Sequence, residues 1–382
     1  LLNDTRQTEL HLDGKDAYAN LTTNQPDEEN GGQKIFWTTS DKSVATVDKH
    51  GLVRAKADSG ECTITATLAD GTESIQCLVR VGDITVPVFA TGSLAGQRTN
   101  DTASLADVAA LKASTPDSIL VDAGGSLHGT TVASMTGGMD MLSSFSAAGY
   151  DLQAFGAEDL AYGIARLRSD ANMGSGPSLA ANLRDSDGAA IFYRSTSWNR
   201  NRITNGMNTI ITRTGYRIGF FSLADADAVN GKIGLVNEET PFANDLAQTA
   251  SEQVAALQAQ GVDAIICITT PGVDTAALQT TLKDLGVTAV IDGSGTAATQ
   301  DGVYSAGAAL GLDGVARFDL VFTQGGGVAV RGADNVTAAT LQASRATWES
   351  LAAAADTTTT GSDAADPDKD TEAVGGKDTS AP

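Results

Sequence analysis

Ser118-Ile119-Leu120-Val121-Asp122-Ala123-Gly124-Gly125 is an apolar run that ends in an acidic, glycine-rich loop. A strand with no polar face belongs inside a parallel sheet covered on both sides. Working outward, Val86–Thr91 is a strand, and a helix from about Thr102 sets Leu105, Val108 and Leu111 on one face and ends before Pro116. A helix near Gly138–Ala148, a short strand at Leu152–Phe155 and a helix near Asp159–Ser169 follow. Ser178–Leu183, Ala190–Ser195, Met207–Thr212 and Arg217–Leu223 read as strands. Thr240 caps a helix starting at Pro241, with Phe242, Leu246, Ala250, Val254 and Leu257 as its apolar stripe. Ala264–Ile268 is a second buried strand. Asp274 caps a helix whose Leu278, Leu282 and Leu285 face inward and which ends at Gly286. Val287–Ile291, Val303–Ala309, Ala316–Phe322 and Gly327–Val330 complete the β stretches, and 336–355 forms a last helix with Leu341, Trp348 and Leu351. Buried strands with crossover helices, plus antiparallel runs, predict a mixed α/β sandwich over 83–355.

Before it, residues 1–82 read as a small all-β sandwich. Turn signals at Asp13-Gly14, Asn30-Gly31-Gly32, His50-Gly51 and Asp70-Gly71 separate short strand-like runs. Thr63–Leu68 and Ser74–Val81 flank Asp70-Gly71 as a hairpin. Cys62 and Cys77 lie on its two arms, where a disulfide is expected. After 355, Asp356, Asp363, Asp366, Asp368, Asp370, Glu372 and Asp378 face only Lys369 and Lys377. Residues 356–382 are expected to be a disordered acidic linker.

The whole chain has 382 residues and a formal charge of −22. That charge argues against nucleic acid as a partner. No apolar run approaches the ~20 residues of a transmembrane helix. The chain begins at Leu1, the start expected of a trimmed or partial chain. Only three histidines (His11, His50, His128) and three cysteines (Cys62, Cys77, Cys267) are present, with no close-spaced zinc pattern. Cys267, inside a buried strand, reads as a core residue.

The run Trp37-Thr38-Thr39-Ser40-Asp41, then Val44-Ala45-Thr46-Val47-Asp48, Gly51-Leu52-Val53 and Cys62-Thr63-Ile64-Thr65-Ala66-Thr67 resembles a bacterial immunoglobulin-like domain of the second group. Trp37 matches a core position of that pattern. The resemblance implies an extracellular stalk or adhesion module.

The α/β segment, from about Val86 to Phe322, resembles the metallophosphoesterase domain of the 5′-nucleotidase family, a four-layer α-β-β-α sandwich. In that family five loops hold two metal ions that activate water against a phosphate ester. Thr91-Gly92-Ser93-Leu94-Ala95-Gly96 stands where the family reads Thr-Asn-Asp-Leu-His-Gly, so Ser93 and Ala95 occupy ligand positions. Asp122-Ala123-Gly124-Gly125 matches Asp-Ala-Gly-Asp, with Gly125 for the bridging carboxylate. Gly156-Ala157-Glu158-Asp159-Leu160-Ala161-Tyr162-Gly163 matches Gly-Asn-His-Glu-Phe-Asp-Tyr-Gly, with Ala157 for the ligand Asn and Glu158 for the catalytic His. Thr269-Thr270-Pro271-Gly272 puts Thr270 where a His ligand stands. Asp292-Gly293-Ser294-Gly295-Thr296 puts Ser294 and Thr296 at two more.

Two divalent cations held close together need several anionic or imidazole ligands to offset their repulsion and replace their hydration. Ser93, Ala95, Gly125, Ala157, Thr270, Ser294 and Thr296 supply none. The resemblance therefore leads to a pseudoenzyme, with no catalytic residue, metal or cofactor expected. After Val330 there is no room for the family's second, substrate-gripping domain. Asp122, His128, Glu158, Asp159 and Asp292 fall near the old mouth as weak pocket candidates. Trp198, beside Arg200 and Arg202, is a candidate contact for carbohydrate or a partner. The expected role is binding or display at the cell surface or in secreted form, toward a glycan or protein ligand. The alternatives are a phosphoesterase with a rebuilt site and a purely structural spacer.

Overall fold

The computed structural model describes residues 9–12, 14–22, 34–171, 176–184, 190, 194–195, 203–204, 206–225, 227–229, 242–243, 245–296, 303–323, 327–332 and 335–359. Strands β1 Glu9–Leu12, β2 Tyr18–Asn20, β3 Ile35–Thr39, β4 Ala45–Val47, β5 Leu52–Ala55, β6 Gly60–Leu68 and β7 Ser74–Val81 form two sheets, ordered β1-β7-β6-β3 and β2-β5-β4. Alternation along β6 and β7 turns Cys62, Ile64, Cys77 and Val79 inward, onto Leu12, Val53 and the flank of Trp37. The Asp70-Gly71 turn joins the two strands, as its composition predicts.

The expected Cys62–Cys77 bridge is not there: both are free, buried thiols. Cys62 stands opposite Val79, and Cys77 stands opposite Ile64. The two are therefore diagonal neighbours. Such pairs sit about 7–8 Å apart, beyond the Cα separation that a disulfide spans.

After β7 and the two residues Gly82 and Asp83, β8 Ile84–Gly92 begins. It is followed by β9 Ile119–Asp122, β10 Leu152–Ala154, β11 Ser178–Leu179, β12 Leu183–Arg184, β13 Arg194–Ser195, β14 Ile203–Thr204, β15 Asn208–Arg213, β16 Tyr216–Leu223, β17 Phe242–Ala243, β18 Ala264–Thr269, β19 Ala289–Asp292, β20 Tyr304–Gly307, β21 Ala309–Leu310, β22 Gly314–Phe322, β23 Val328–Gly332 and β24 Val336–Thr337. One sheet runs β11-β10-β9-β8-β22-β23 and the other β15-β16-β18-β19-β20. β8 to β11 are parallel, as are β16, β18, β19 and β20.

The sheets face each other across Val86, Val88, Ile119, Val121, Phe220, Ile266, Ile268, Ile291 and Phe318. On the outer face of the first sheet lie α1 Leu105–Ser114, α2 Thr131–Thr136, α3 Met139–Ala148 and α4 Ile164–Ala171. The helices Leu246–Ala259 and Thr275–Leu285 cover the second through Val254, Leu257 and Leu282. The four layers are those expected. β9, β18 and β19 are buried at every position, which is why they read as unbroken apolar runs.

Local departures have local causes. The helix expected from Pro241 starts at Leu246, where the Asp245 side chain accepts from the Gln248 N–H, a stronger cap than a chain entry through the short strand Phe242–Ala243 allows. Thr240 and Pro241 lie outside the described residues. The helix expected near Asp159–Ser169 divides into a 3-10 turn, Ala157–Tyr162, and α4. Gly163, with φ 88, separates the two. The last helix runs Ala338–Thr359: Ala352–Ala355 carry it to the 355/356 boundary expected for the linker, and Asp356–Thr359 continue it by one turn. Trp198, most of Ala190–Ser195 and residues 360–382 fall outside the described residues.

Candidate functional site

The five loops matched to metal ligands gather where β8, β9, β10, β18 and β19 end. The first two are stitched by their backbones. The Ser93 N–H donates to Gly124 O at 2.8 Å, Ala95 N–H to Gly125 O at 3.2 Å and Gly96 N–H to Ser126 O at 2.9 Å. Ser93 and Ala95 hold φ values of 49° and 48°, a left-handed conformation that costs about 1–2 kcal/mol for such residues. The cross-loop bonds keep it in place.

Asp122 and Asp159 are each 1 % exposed, and both organise the loops. Asp159 Oδ2 accepts from the N–H groups of Gly125 (2.9 Å) and Gly156 (3.0 Å), and Oδ1 from those of Ser126 and Leu127 (both 3.1 Å). Burial pushes its carboxyl up, against the pull of these four amides. Asp122 meets the hydroxyls of Thr91 (3.0 Å) and Ser126 (2.9 Å) and the Gly124 N–H (3.0 Å). Thr91 in turn bonds the Tyr150 hydroxyl at 2.8 Å. Burial, and next the nearby Asp159 charge, push Asp122 up to about 8, so it is mostly protonated at neutral pH.

The other candidates lie nearer the surface or at a separate turn. His128 Nε2 faces Glu158 Oε2 at 3.3 Å in a half-exposed contact. Asp292 Oδ1 accepts from Ser294 N–H (2.8 Å) and Oγ (2.6 Å), closing its own turn. The structure thus brings Asp122 to Asp159 through Ser126 and brings His128 to Glu158, while the Asp292 carboxylate closes its own turn. Sequence reasoning missed Thr91, Ser126 and Tyr150. Each is a neutral hydroxyl whose role depends on contacts distant along the chain.

At the positions matched to ligands, Gly125, Ala157 and Thr270 are buried, Ser93 and Ala95 half-buried, and Ser294 and Thr296 exposed. A Cβ on Gly125 would lie 3.1 Å from Pro271 Cγ and 3.3 Å from Ser93 Oγ. One on Gly156 would lie 2.8 Å from Thr270 Oγ1, which is buried and has no hydrogen-bond partner among the described residues. Among the described residues no three His, Cys, Asp or Glu side chains are grouped so as to hold a metal ion. At the seven matched positions the side chains are neutral or lack a donor, and Asp122 and Asp159 are taken up by loop hydroxyls and amides, so these positions do not fit a pair of divalent cations.

Residues 15–79 match the family model for the bacterial Ig-like domain, group 2. The calcineurin-like phosphoesterase YfkN from Bacillus subtilis shares the fold with a TM-score of 0.55 at 15% identity, over 70% of this chain and 98% of that one. The 5′-nucleotidase precursor from Thermus thermophilus gives 0.51 at 17% identity, over 71% of this chain and 59% of that one. The Haemophilus influenzae NAD nucleotidase NadN gives 0.51 at 15% identity, over 67% of this chain and 50% of that one. The chain thus spans little more than half the length of these last two. No curated protein matches it. A bacterial Ig-like domain of group 2 is followed here by the α/β fold of the calcineurin-like phosphoesterases and 5′-nucleotidases.

Proposed function

We propose that this chain is a non-catalytic member of the phosphoesterase fold, working in binding or display at the bacterial cell surface or in secreted form. Its Ig-like domain, residues 1–82, is the stalk, residues 83–355 the display domain, and residues 356–382 an acidic linker. The observation that carries the reading is the chemistry of seven positions. Ser93, Ala95, Gly125, Ala157, Thr270, Ser294 and Thr296 stand where the family resemblance implies ligands, and none is an anion or an imidazole. The surface assignment leans on the Ig-like match. No helix among the described residues is long and apolar enough to cross a membrane.

The test pairs metal analysis with turnover. After equilibration with Mn²⁺, Zn²⁺, Mg²⁺ or Ca²⁺ and desalting, the protein is expected to retain less than one-tenth of an ion per chain. It is also expected to leave p-nitrophenyl phosphate, its bis ester and AMP at the buffer rate. Two retained ions with metal-dependent cleavage would sink the proposal in favour of a rebuilt phosphoesterase site. Glycan and surface-protein arrays then separate display from a spacer, which binds nothing specifically.

A further inference from the structure

We infer that the Ig-like domain is locked to the α/β domain by a joint centred on His11 and Tyr216, at the pole opposite the five loops, so that the loops are held facing away from the stalk. The joint stands whether or not those loops are catalytic.

The linking chain is short and pinned. β7 ends at Val81 and β8 starts at Ile84, leaving Gly82 and Asp83 between the domains. Gly82 has φ +91, and a Cβ on it would lie 2.9 Å from Asp58 O, so glycine is required there. Its N–H donates to Leu12 O at 2.7 Å, and its carbonyl is bonded by His11 Nε2. A carbonyl only accepts, so Nε2 carries the proton. In the neutral ring Nδ1 then accepts from the Tyr216 hydroxyl at 2.5 Å. One imidazole therefore holds the linker on one side and the α/β domain on the other.

Tyr216 is itself fixed. Its ring stacks on Phe322, with centroids 4.1 Å apart and planes 13° from parallel. It follows the turn Thr214-Gly215, with φ values of 49° and 86°. From β1, two residues before His11 and on the same face, Glu9 reaches that turn: a Cβ on Gly215 would lie 3.1 Å from Glu9 Oε2. Arg80, opposite His11 in the sheet, holds Glu9 at 3.0 Å and Glu61 at 2.8 Å. Beside these contacts a cleft of about 230 Å³ separates Gly60, Glu61, Arg80 and Asp83 from Asp117 and Thr214.

The direction follows from strand polarity. Tyr216 opens β16, Ile84 opens β8 and Asp117 precedes β9, whereas the candidate loops follow the far ends of β8, β9, β18 and β19. Nine residues of β8 at ~3.3 Å each put about 30 Å between the poles.

The test is a distance distribution by pulsed electron resonance on the full chain, spin-labelled at Lys42→Cys and Lys283→Cys, both exposed. The native cysteines are buried and label poorly. The parent is expected to show one narrow distance. Tyr216→Phe deletes the hydroxyl and keeps the ring on Phe322, so it is expected to broaden that distance at least twofold with unchanged circular dichroism; His11→Leu is expected to do the same. A broad distribution in the parent overturns the lock. A distribution as narrow in Tyr216→Phe as in the parent overturns the role of the His11–Tyr216 pair, and this arm decides alone if His11→Leu fails to fold.

Discussion

The two poles of the α/β domain hold carboxylates in opposite ways. At the stalk pole Asp151 is gripped by cations. Its Oδ2 accepts from Lys112 Nζ at 2.8 Å and its Oδ1 from Arg213, while both cations also bond the Ser118 carbonyl. Arg213 comes from β15 of the second sheet and Asp151 from the entry to β10 of the first, so the cluster ties the sheets together by charge. At the loop pole Asp122 and Asp159 are met by hydroxyls and amides, and their work is to hold backbone. The difference teaches that the loop frame does not depend on residues that bind ions. Its shape rests on two acids that lie outside the seven matched ligand positions, which is how those seven can all be neutral in a fold that keeps its loops.

The comparison is broken most directly at Asp159. Asp159→Ala strands four buried N–H groups, each costing about 1–3 kcal/mol when unpaired. Relaxation recovers part of that, so a loss of about 4 kcal/mol is expected in urea unfolding of the α/β transition. Asp159→Asn, which keeps one acceptor, is expected to lose about half as much. An unchanged midpoint for the alanine variant would mean that the loops hold themselves without it.

Asp122 gives the next largest effect, through pH. Its native pKa, about 8, lies above the ordinary value of 3.8, so the folded chain binds this proton more tightly than the unfolded one. The stability it contributes is complete below pH 4 and is lost as pH rises through 8. Asp122→Asn, neutral throughout, is expected to flatten the fall between pH 6 and 8 by on the order of 2–3 kcal/mol. Parallel stability–pH curves for parent and variant would show that Asp122 ionises in the fold at no cost.

How much of this was legible in the sequence depended on the range of the interaction. Ser118–Val121 and Ala264–Ile268 declared themselves because burial on both faces removes polar residues from a strand. Asp274 and Gly286 were readable because a cap acts within one turn, and the structure keeps both, Asp274 accepting from Ala277 N–H and Gly286 at φ 90. Asp159 was visible only as a loop acid. Its amide donors at Gly125, Ser126 and Leu127 are more than thirty residues away, and no local pattern encodes them. His11 and Tyr216 are 205 residues apart, and the diagonal offset of Cys62 and Cys77 depends on a register one residue pair finer than the hairpin signal. The neutral residues at the seven positions matched to ligands are read directly, because identity, unlike contact, is written one residue at a time.

At the stalk pole, Asp151→Asn is expected to cost about 2 kcal/mol, since Lys112 and Arg213 would then share a weaker acceptor at a partly solvated edge. Its sharper signature is salt. Between 0.05 and 0.5 M NaCl the parent should lose part of its advantage over Asp151→Asn, whereas the gap between the parent and Asp159→Asn should stay constant, because four amide donors carry no net charge to screen. Equal salt responses at the two positions would erase the distinction between the poles.

The smallest effect tests whether restoring one ligand-type residue restores the chemistry. Gly125→Asp places a carboxylate at the position matched to the bridging ligand. Aspartate tolerates the left-handed φ of 71° better than most residues, and Pro271 Cγ and Ser93 Oγ need give only a few tenths of an ångström, so a stability loss of about 1 kcal/mol is expected. Calorimetric titration with Mn²⁺ should remain flat, because one carboxylate among Ser93, Ala157 and Thr270 still offers a divalent ion too few anionic or imidazole donors to displace its water. Micromolar Mn²⁺ binding by this single variant would mean that the loop frame still carries a nearly complete metal site, and that Gly125 alone keeps it shut.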